Sequence, residues 1–155
     1  PSLAAILRPS NGAVLHFGAE RVAQNITTGY KQLVDEANAE IETLTVDEAI
    51  ALHGRDDVLF VDIRDPRELE RTGRVPGAYH APRGMLEFWV DPESPYFRDI
   101  FAQDKRYILY CASAWRSALA TLALKNMGMD NVCHIGGGFT AWKEASLPIE
   151  SVEKK

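Results

Sequence analysis

The sequence predicts an α/β domain built on a mostly parallel sheet. Three observations carry that prediction. Strand-length apolar runs recur at Val58-Leu59-Phe60-Val61-Asp62-Ile63, Tyr107-Ile108-Leu109-Tyr110 and Val132-Cys133-His134-Ile135. The first is nearly continuous rather than alternating, as expected for a strand covered on both faces. Helical patterns separate the runs, and alternation of strand with helix is the signature of a parallel, doubly covered sheet.

Residues 1 to about 28 hold no lasting period and are interrupted by Gly12, Gly18 and Gly29. From Tyr30 the pattern clears: Tyr30, Leu33, Val34, Ala37 and Ile41 recur at helical spacing and predict an amphipathic helix. Thr45-Val46-Asp47-Glu48 is a capping box that opens a short helix with Val46, Ala49 and Ile50 on its buried side. After the first long strand, Asp65-Pro66-Arg67-Glu68 sets a cap, an N1 proline and an N3 glutamate in order, and Gly73 is placed to stop that helix. Val75-Pro76-Gly77-Ala78 reads as a turn into a short strand near Tyr79 and His80. Arg83 to Phe101 reads as a loop with one or two short helices. Arg116 to Met127 repeats small and apolar residues at helical spacing and closes at Gly128. The third long strand leads into Gly136-Gly137-Gly138 and a last helix containing Trp142.

The chain has 155 residues, of which 46% are apolar and 25% charged, the balance of one ordinary globular domain. The formal charge of -5, with no basic block, gives no footprint for nucleic acid or for an anionic membrane. Any anion must therefore be drawn by a local site. No apolar run approaches the ~20 residues of a membrane-spanning helix. The opening Pro1-Ser2-Leu3-Ala4-Ala5-Ile6-Leu7 lacks a basic n-region and is too short for a signal-peptide core. Only two cysteines, Cys111 and Cys133, occur in a chain that needs no staples, which points to a reducing compartment and so to the cytoplasm. The histidines, His16, His53, His80 and His134, show no ligand spacing with each other or with the cysteines, so neither a metal nor another cofactor is expected.

The segment from Tyr107 to Ser117 carries the chemistry. A strand delivers Cys111 to a short loop, Ala112-Ser113-Ala114-Trp115-Arg116-Ser117, which turns directly into a helix. Ligands in such sheets sit beyond the carboxyl ends of the strands. Inward-pointing amides of the loop form an anion nest, the helix N-terminus adds unpaired donors, and Arg116 supplies a full charge. All three favour the thiolate over the thiol. The loop then also suits an anionic persulfide, and no separate base is required. Against this stands the ordinary fate of a free cysteine, a small buried hydrophobe. Cys133 fits that plainer description, being mid-strand with no basic neighbour. Cys111 and Arg116 form Cys-x4-Arg, a loop one residue shorter than the Cys-x5-Arg of cysteine-dependent phosphatases.

Taken together these residues resemble the rhodanese family over residues 41–150. Val61-Asp62-Ile63-Arg64 with Glu68, Gly73 and Val75-Pro76-Gly77-Ala78 is similar to its first signature. Gly136-Gly137-Gly138-Phe139-Thr140-Ala141-Trp142, followed by Leu147-Pro148, is similar to its second. The resemblance implies a five-stranded sheet covered by helices on both faces. It implies transfer of sulfane sulfur through a Cys111 persulfide, with Ala112 to Ser117 binding the anion. The donor would be thiosulfate or a persulfide and the acceptor a thiol, on a protein for instance, or cyanide, in a ping-pong pattern. Residues 1–40 form an extension outside the resemblance and 151–155 a tail. Two departures stand out: Ala112 and Ser113 are neutral where thiosulfate-using members often carry basic residues, and Ala114 occupies a position that is often glycine.

Other candidates have plainer alternatives. Asp62 and Arg64, at a strand end, suit an ion pair that braces the site better than direct chemistry. Arg83 is placed to serve as a second anion clamp or simply as a solvated loop residue. Trp89 and Trp115 suit partner docking or core cover equally, and Trp142 reads as core. His80 is a candidate base that no spacing pairs with Cys111. The glycine triplet lacks the Lys-Ser/Thr of a phosphate loop, and close backbone approach to the cysteine loop accounts for it. Beside sulfur transfer, a non-catalytic binding or redox-sensing module and a cysteine-dependent phosphatase remain open.

Overall fold

The computed structural model describes residues 23–154. Gly12, Gly18, His16 and the Pro1–Leu7 run lie outside the described residues. The chain divides into two compact units, Pro1–Gln32 and Leu33–Lys155. Of the first, the described part runs without regular structure until the opening residues of a helix, α1, Tyr30–Glu40. The second carries the sheet.

Five strands follow: β1 Thr43–Leu44, β2 Val58–Asp62, β3 Tyr79–His80, β4 Arg106–Tyr110 and β5 Val132–Ile135. They pair in the order β1-β5-β4-β2-β3, and every pairing is parallel. The helices between them are α2 Val46–Leu52, α3 Pro66–Thr72, α4 Leu86–Val90 and α5 Trp115–Asn126, with α6 Gly138–Glu144 after β5 and 3₁₀ turns at Arg83–Met85 and Asp99–Ala102. The stretch from Arg83 to Phe101 thus holds three short helical pieces where one or two were expected. The fifth strand that the resemblance implies is β1, which no local signal placed. Two residues show no periodicity, and β1 exists only because it pairs with His134 and Ile135 of β5.

Local signals placed the other elements well. Thr45 and Asp65 each close a full capping box, with Glu48 and Glu68 reaching back to the cap amides at 3.0 Å. Each box satisfies backbone donors that the helix itself leaves open. Pro66 takes the first turn of α3, where its missing N–H costs nothing, and Gly73 ends it.

Because strand side chains alternate, the sheet divides its apolar residues between two cores. Phe60, Ile108, Tyr110, Cys133 and Ile135 face one side, where Trp142 and Phe139 of α6 cover them. Val61, Tyr107, Leu109 and Val132 face the other, against Leu86, Ala120 and Leu124 of α4 and α5. Trp142 is fully buried, and its Nε1 donates to Pro148 O at 2.7 Å. A smaller cluster packs Val34 and Ala37 of α1 on Ala118 of α5.

Candidate active site

Cys111 follows the last residue of β4, at the carboxyl edge of the sheet. The chain then turns through Ala112, Ser113 and Ala114 before α5 begins at Trp115. Ala114 takes a left-handed conformation, φ 74°, which is why glycine suits this position and why alanine carries about 1 kcal/mol of strain there. The loop is clamped from the side by α6. Phe139 N donates to Cys111 O at 2.8 Å and Thr140 N to Ala112 O at 3.0 Å. Gly138 sits between them at φ 60°, and a Cβ there would lie 2.6 Å from both carbonyl oxygens. The third glycine of the triplet therefore serves backbone approach.

The Cys111 sulfur is buried, with 1% of the residue exposed. Ser117 N donates to Sγ at 3.3 Å, and Ser117 Oγ lies 3.6 Å from it. Of the expected ring of amides, Ser117 is the one that touches the sulfur. The amides of Ala112, Ser113 and Ala114 take no acceptor from the protein among the described residues.

Arg116 faces both Glu68 and Cys111: the carboxylate first, and the sulfur after it, favour its charged form. Nη1 and Nη2 fork onto Glu68 of α3 at 2.8 and 3.0 Å. The pair is partly exposed, and the arginine holds the Glu68 carboxyl below its usual range. Glu68 also accepts from Asp65 N, so one carboxylate ties the cap of α3 to the cysteine loop. The charge of Arg116 thus reaches the site already paired. Glu68 was legible as a cap residue, but nothing in the sequence linked it to residue 116.

Asp62 and Arg64 form a buried ion pair at 2.7 Å, with side chains 0% and 2% exposed. Arg64 Nη2 also donates to Gly73 O at 2.7 Å, Nη1 donates to Thr72 Oγ1 at 2.8 Å, and the guanidinium lies 4.3 Å from the Phe139 ring centroid. These bonds satisfy the fork and join the ends of β2 and α3 to α6. His80 Nε2 lies 2.6 Å from Arg64 O, so that ring nitrogen is already engaged. Arg83 sits on the loop after β3 and donates to Glu87 at 3.2 Å. Trp115 is 54% exposed at the loop itself, while the ring of Trp89 is capped by Arg98 at 3.7 Å. Beside Ala112 opens a cavity of about 520 Å³, lined by Arg64, Arg71, Phe139, Thr140 and Lys143 among others.

One residue of this neighbourhood was not singled out from the sequence. His134 of β5 points to the α5 side, and its Nδ1 lies 2.8 Å from Ser117 Oγ. Burial pushes the imidazole down to about 4, so it is neutral at ordinary pH. Residues 117 and 134 share no motif spacing, and strand alternation was the only available hint. Among the described residues no three His, Cys, Asp or Glu side chains gather as metal ligands, and no helix is long and apolar enough to cross a membrane.

Comparison with known proteins gives a consistent picture. A sulfurtransferase of Allochromatium vinosum is 32% identical over 114 residues, covering 74% of this chain and 96% of its own. A protein of Synechocystis named only as uncharacterized is 36% identical over 98 residues, 63% of this chain, and the match spans about half (49%) of its length. A solved structure from Rhodopseudomonas palustris, described as a protein of unknown function and possible tyrosine phosphatase, is 56% identical with a TM-score of 0.81, covering 83% of this chain and 99% of that one. The family model for the rhodanese-like domain matches residues 45–145, which is most of the chain. With that match, and with relatives named as sulfurtransferases, the chain belongs to the rhodanese-like domain family.

Proposed function

We propose that the protein is a sulfurtransferase that carries sulfane sulfur as a persulfide on Cys111. The observation that supports this best is the loop itself. Cys111 Sγ receives the Ser117 amide at 3.3 Å, and the amides of Ala112 to Ala114 have no partner among the described residues. In the first half-reaction the Cys111 thiolate attacks the outer sulfur of the donor. A new S–S bond forms, and the donor's own bond to that sulfur breaks, its electron pair leaving with sulfite or a thiolate. In the second, an acceptor thiolate or cyanide attacks the outer sulfur and Cys111 departs as thiolate. Electrons balance within each exchange, so no cofactor is needed.

A cysteine with 1% exposure favours a slender reactant, such as a small sulfur-containing anion or the terminal sulfur of a persulfide. The neighbouring cavity carries both signs, Arg71 and Lys143 beside Glu68 and Glu144, so its charge alone does not select the reactant. The neutral Ala112 and Ser113 argue for a persulfide donor, carried by a protein, over thiosulfate. Such a cycle suits a reducing compartment, the cytoplasm.

Intact-mass spectrometry tests this reading. Incubation with thiosulfate, and separately with a protein persulfide, should add one sulfur, about 32 Da, and the gain should vanish in Cys111→Ser. Protein that takes sulfur from neither donor would overturn it. The description of the Rhodopseudomonas relative makes phosphatase activity the second reading. The short Cys-x4-Arg loop and an Arg116 already forked onto Glu68 weigh against it. Aryl phosphate hydrolysis that depends on Cys111 would restore it.

A further inference from the structure

The buried face of α5 joins Cys111 to the other edge of the domain through an unbroken line of polar atoms. Sγ lies 3.6 Å from Ser117 Oγ, Ser117 Oγ lies 2.8 Å from His134 Nδ1, and His134 Nε2 lies 3.0 Å from both Asn38 Oδ1 and Thr43 Oγ1. Cys111, Ser117 and His134 are buried, whereas Asn38 and Thr43 face solvent. Asn38 and Thr43 lie outside the 45–145 match, so these contacts come from α1 and β1, which precede it. α1 is held in place for this by Val34 and Ala37, which pack on Ala118, the neighbour of Ser117.

The chemistry of each atom fixes the direction of the bonds. A carbonyl oxygen only accepts, so Asn38 Oδ1 requires the ring proton on Nε2. The neutral ring then presents a lone pair at Nδ1, and the Ser117 hydroxyl donates to it. That leaves Ser117 Oγ with only lone pairs toward the sulfur, where it accepts the S–H of the resting thiol.

We propose that His134, held by Asn38 and Thr43 and reached through the Ser117 hydroxyl, accepts the thiol proton when Cys111 becomes a nucleophile. The S–H bond breaks as its proton passes to Ser117 Oγ, and the O–H bond of Ser117 breaks as its proton passes to Nδ1. A thiolate and an imidazolium result, with no net gain or loss. Ser117 now donates to the anionic sulfur alongside its own amide, and both ring N–H groups have acceptors. The low basicity of the buried ring makes it a transient holder that empties once the charge leaves the sulfur. His134, Asn38 and Thr43 act here as positioning residues. This role rests on Cys111 being the sulfur carrier for its purpose, while the proton transfer itself can be read without sulfur transfer.

The test measures alkylation of Cys111 by iodoacetamide at pH 7, by peptide mapping, beside sulfur uptake from thiosulfate and from a protein persulfide. Ser117→Ala keeps the amide on the sulfur and removes only the hydroxyl, and it should slow both reactions about a hundredfold. Asn38→Leu, on the exposed end, should slow them about tenfold, and Asn38→Asp and Ser117→Thr should restore them. Nitrogen-15 spectra should show His134 protonated at Nε2 in the resting protein, with that preference lost in Asn38→Leu. Unchanged rates in Ser117→Ala and Asn38→Leu, or a resting ring protonated at Nδ1, would overturn the relay. Slowed alkylation in a protein that accepts no sulfur would sink the sulfurtransferase reading and leave the relay standing.

Discussion

The two cysteines of this protein have the same burial, 1% for Cys111 and 0% for Cys133, and entirely different surroundings. Cys133 lies within β5, on the α6 side of the sheet, where its backbone is committed to its neighbours, Sγ lies 3.8 Å from Tyr107 O, and Arg106 is near enough to act on it, a basic neighbour that the sequence did not reveal. Burial pushes its thiol up to about 11, so it stays protonated and inert. Cys111 lies one residue beyond a strand, on the α5 side, where the backbone has left the sheet and a neighbouring amide turns to the sulfur. Burial alone does not tell the two thiols apart. What separates them is whether the surrounding N–H groups are spent on the sheet or free to face the sulfur.

The largest effect should come from exchanging their fates. Cys111→Ser should abolish the sulfur adduct, whereas Cys133→Ser should keep it, as intact mass will read. An adduct that survives the first change and is lost in the second would reverse the comparison. Next in size is the brace behind the loop. Asp62→Ala strands Arg64 as a buried charge without its carboxylate and should cost about 3–5 kcal/mol in denaturant unfolding, where breaking an exposed pair such as Arg55–Asp57 should leave the midpoint nearly unchanged.

The third prediction concerns His134, which shares β5 with Cys133 but points to Cys111. Its folded value of about 4 lies below its ordinary 6.5, so the unfolded chain binds the extra proton between those limits. The neutral ring's contribution is complete above pH 6.5 and is lost as the pH falls toward 4, by up to about 3 kcal/mol. Urea midpoints at pH 7 and pH 5 should therefore converge in His134→Asn relative to the parent. The smallest effect belongs to the loop backbone: Ala114→Gly should relieve the left-handed strain at φ 74° and raise stability by about 1 kcal/mol, less whatever the added freedom of the unfolded chain takes back. A loss of stability would mean that the Cys111 loop holds no strain at that residue.

Much of the architecture was legible in residue order. Capping boxes at Thr45 and Asp65, the proline at 66 and the long apolar strands are local signals, decided by neighbours within a few positions. The cysteine loop was legible for the same reason, since strand, small residues and helix are contiguous. Other features were not. β1 is two residues made into a strand by its partner, and Arg116 meets Glu68 across 48 positions. No spacing rule reaches that far.

By itself, then, the sequence determined where the chain turns, which residues could enter a core, and that residue 111 stands at the mouth of a short loop. Those properties follow from propensity, capping and periodicity, which act over a turn or two of chain. The tertiary structure alone decided that Arg116 is paired with Glu68, that Asp62 and Arg64 are sealed from water, and that Ser117, His134 and Asn38 form one line. Such contacts depend on which strands lie side by side and which face each side chain takes, and distant segments settle that only when they pack.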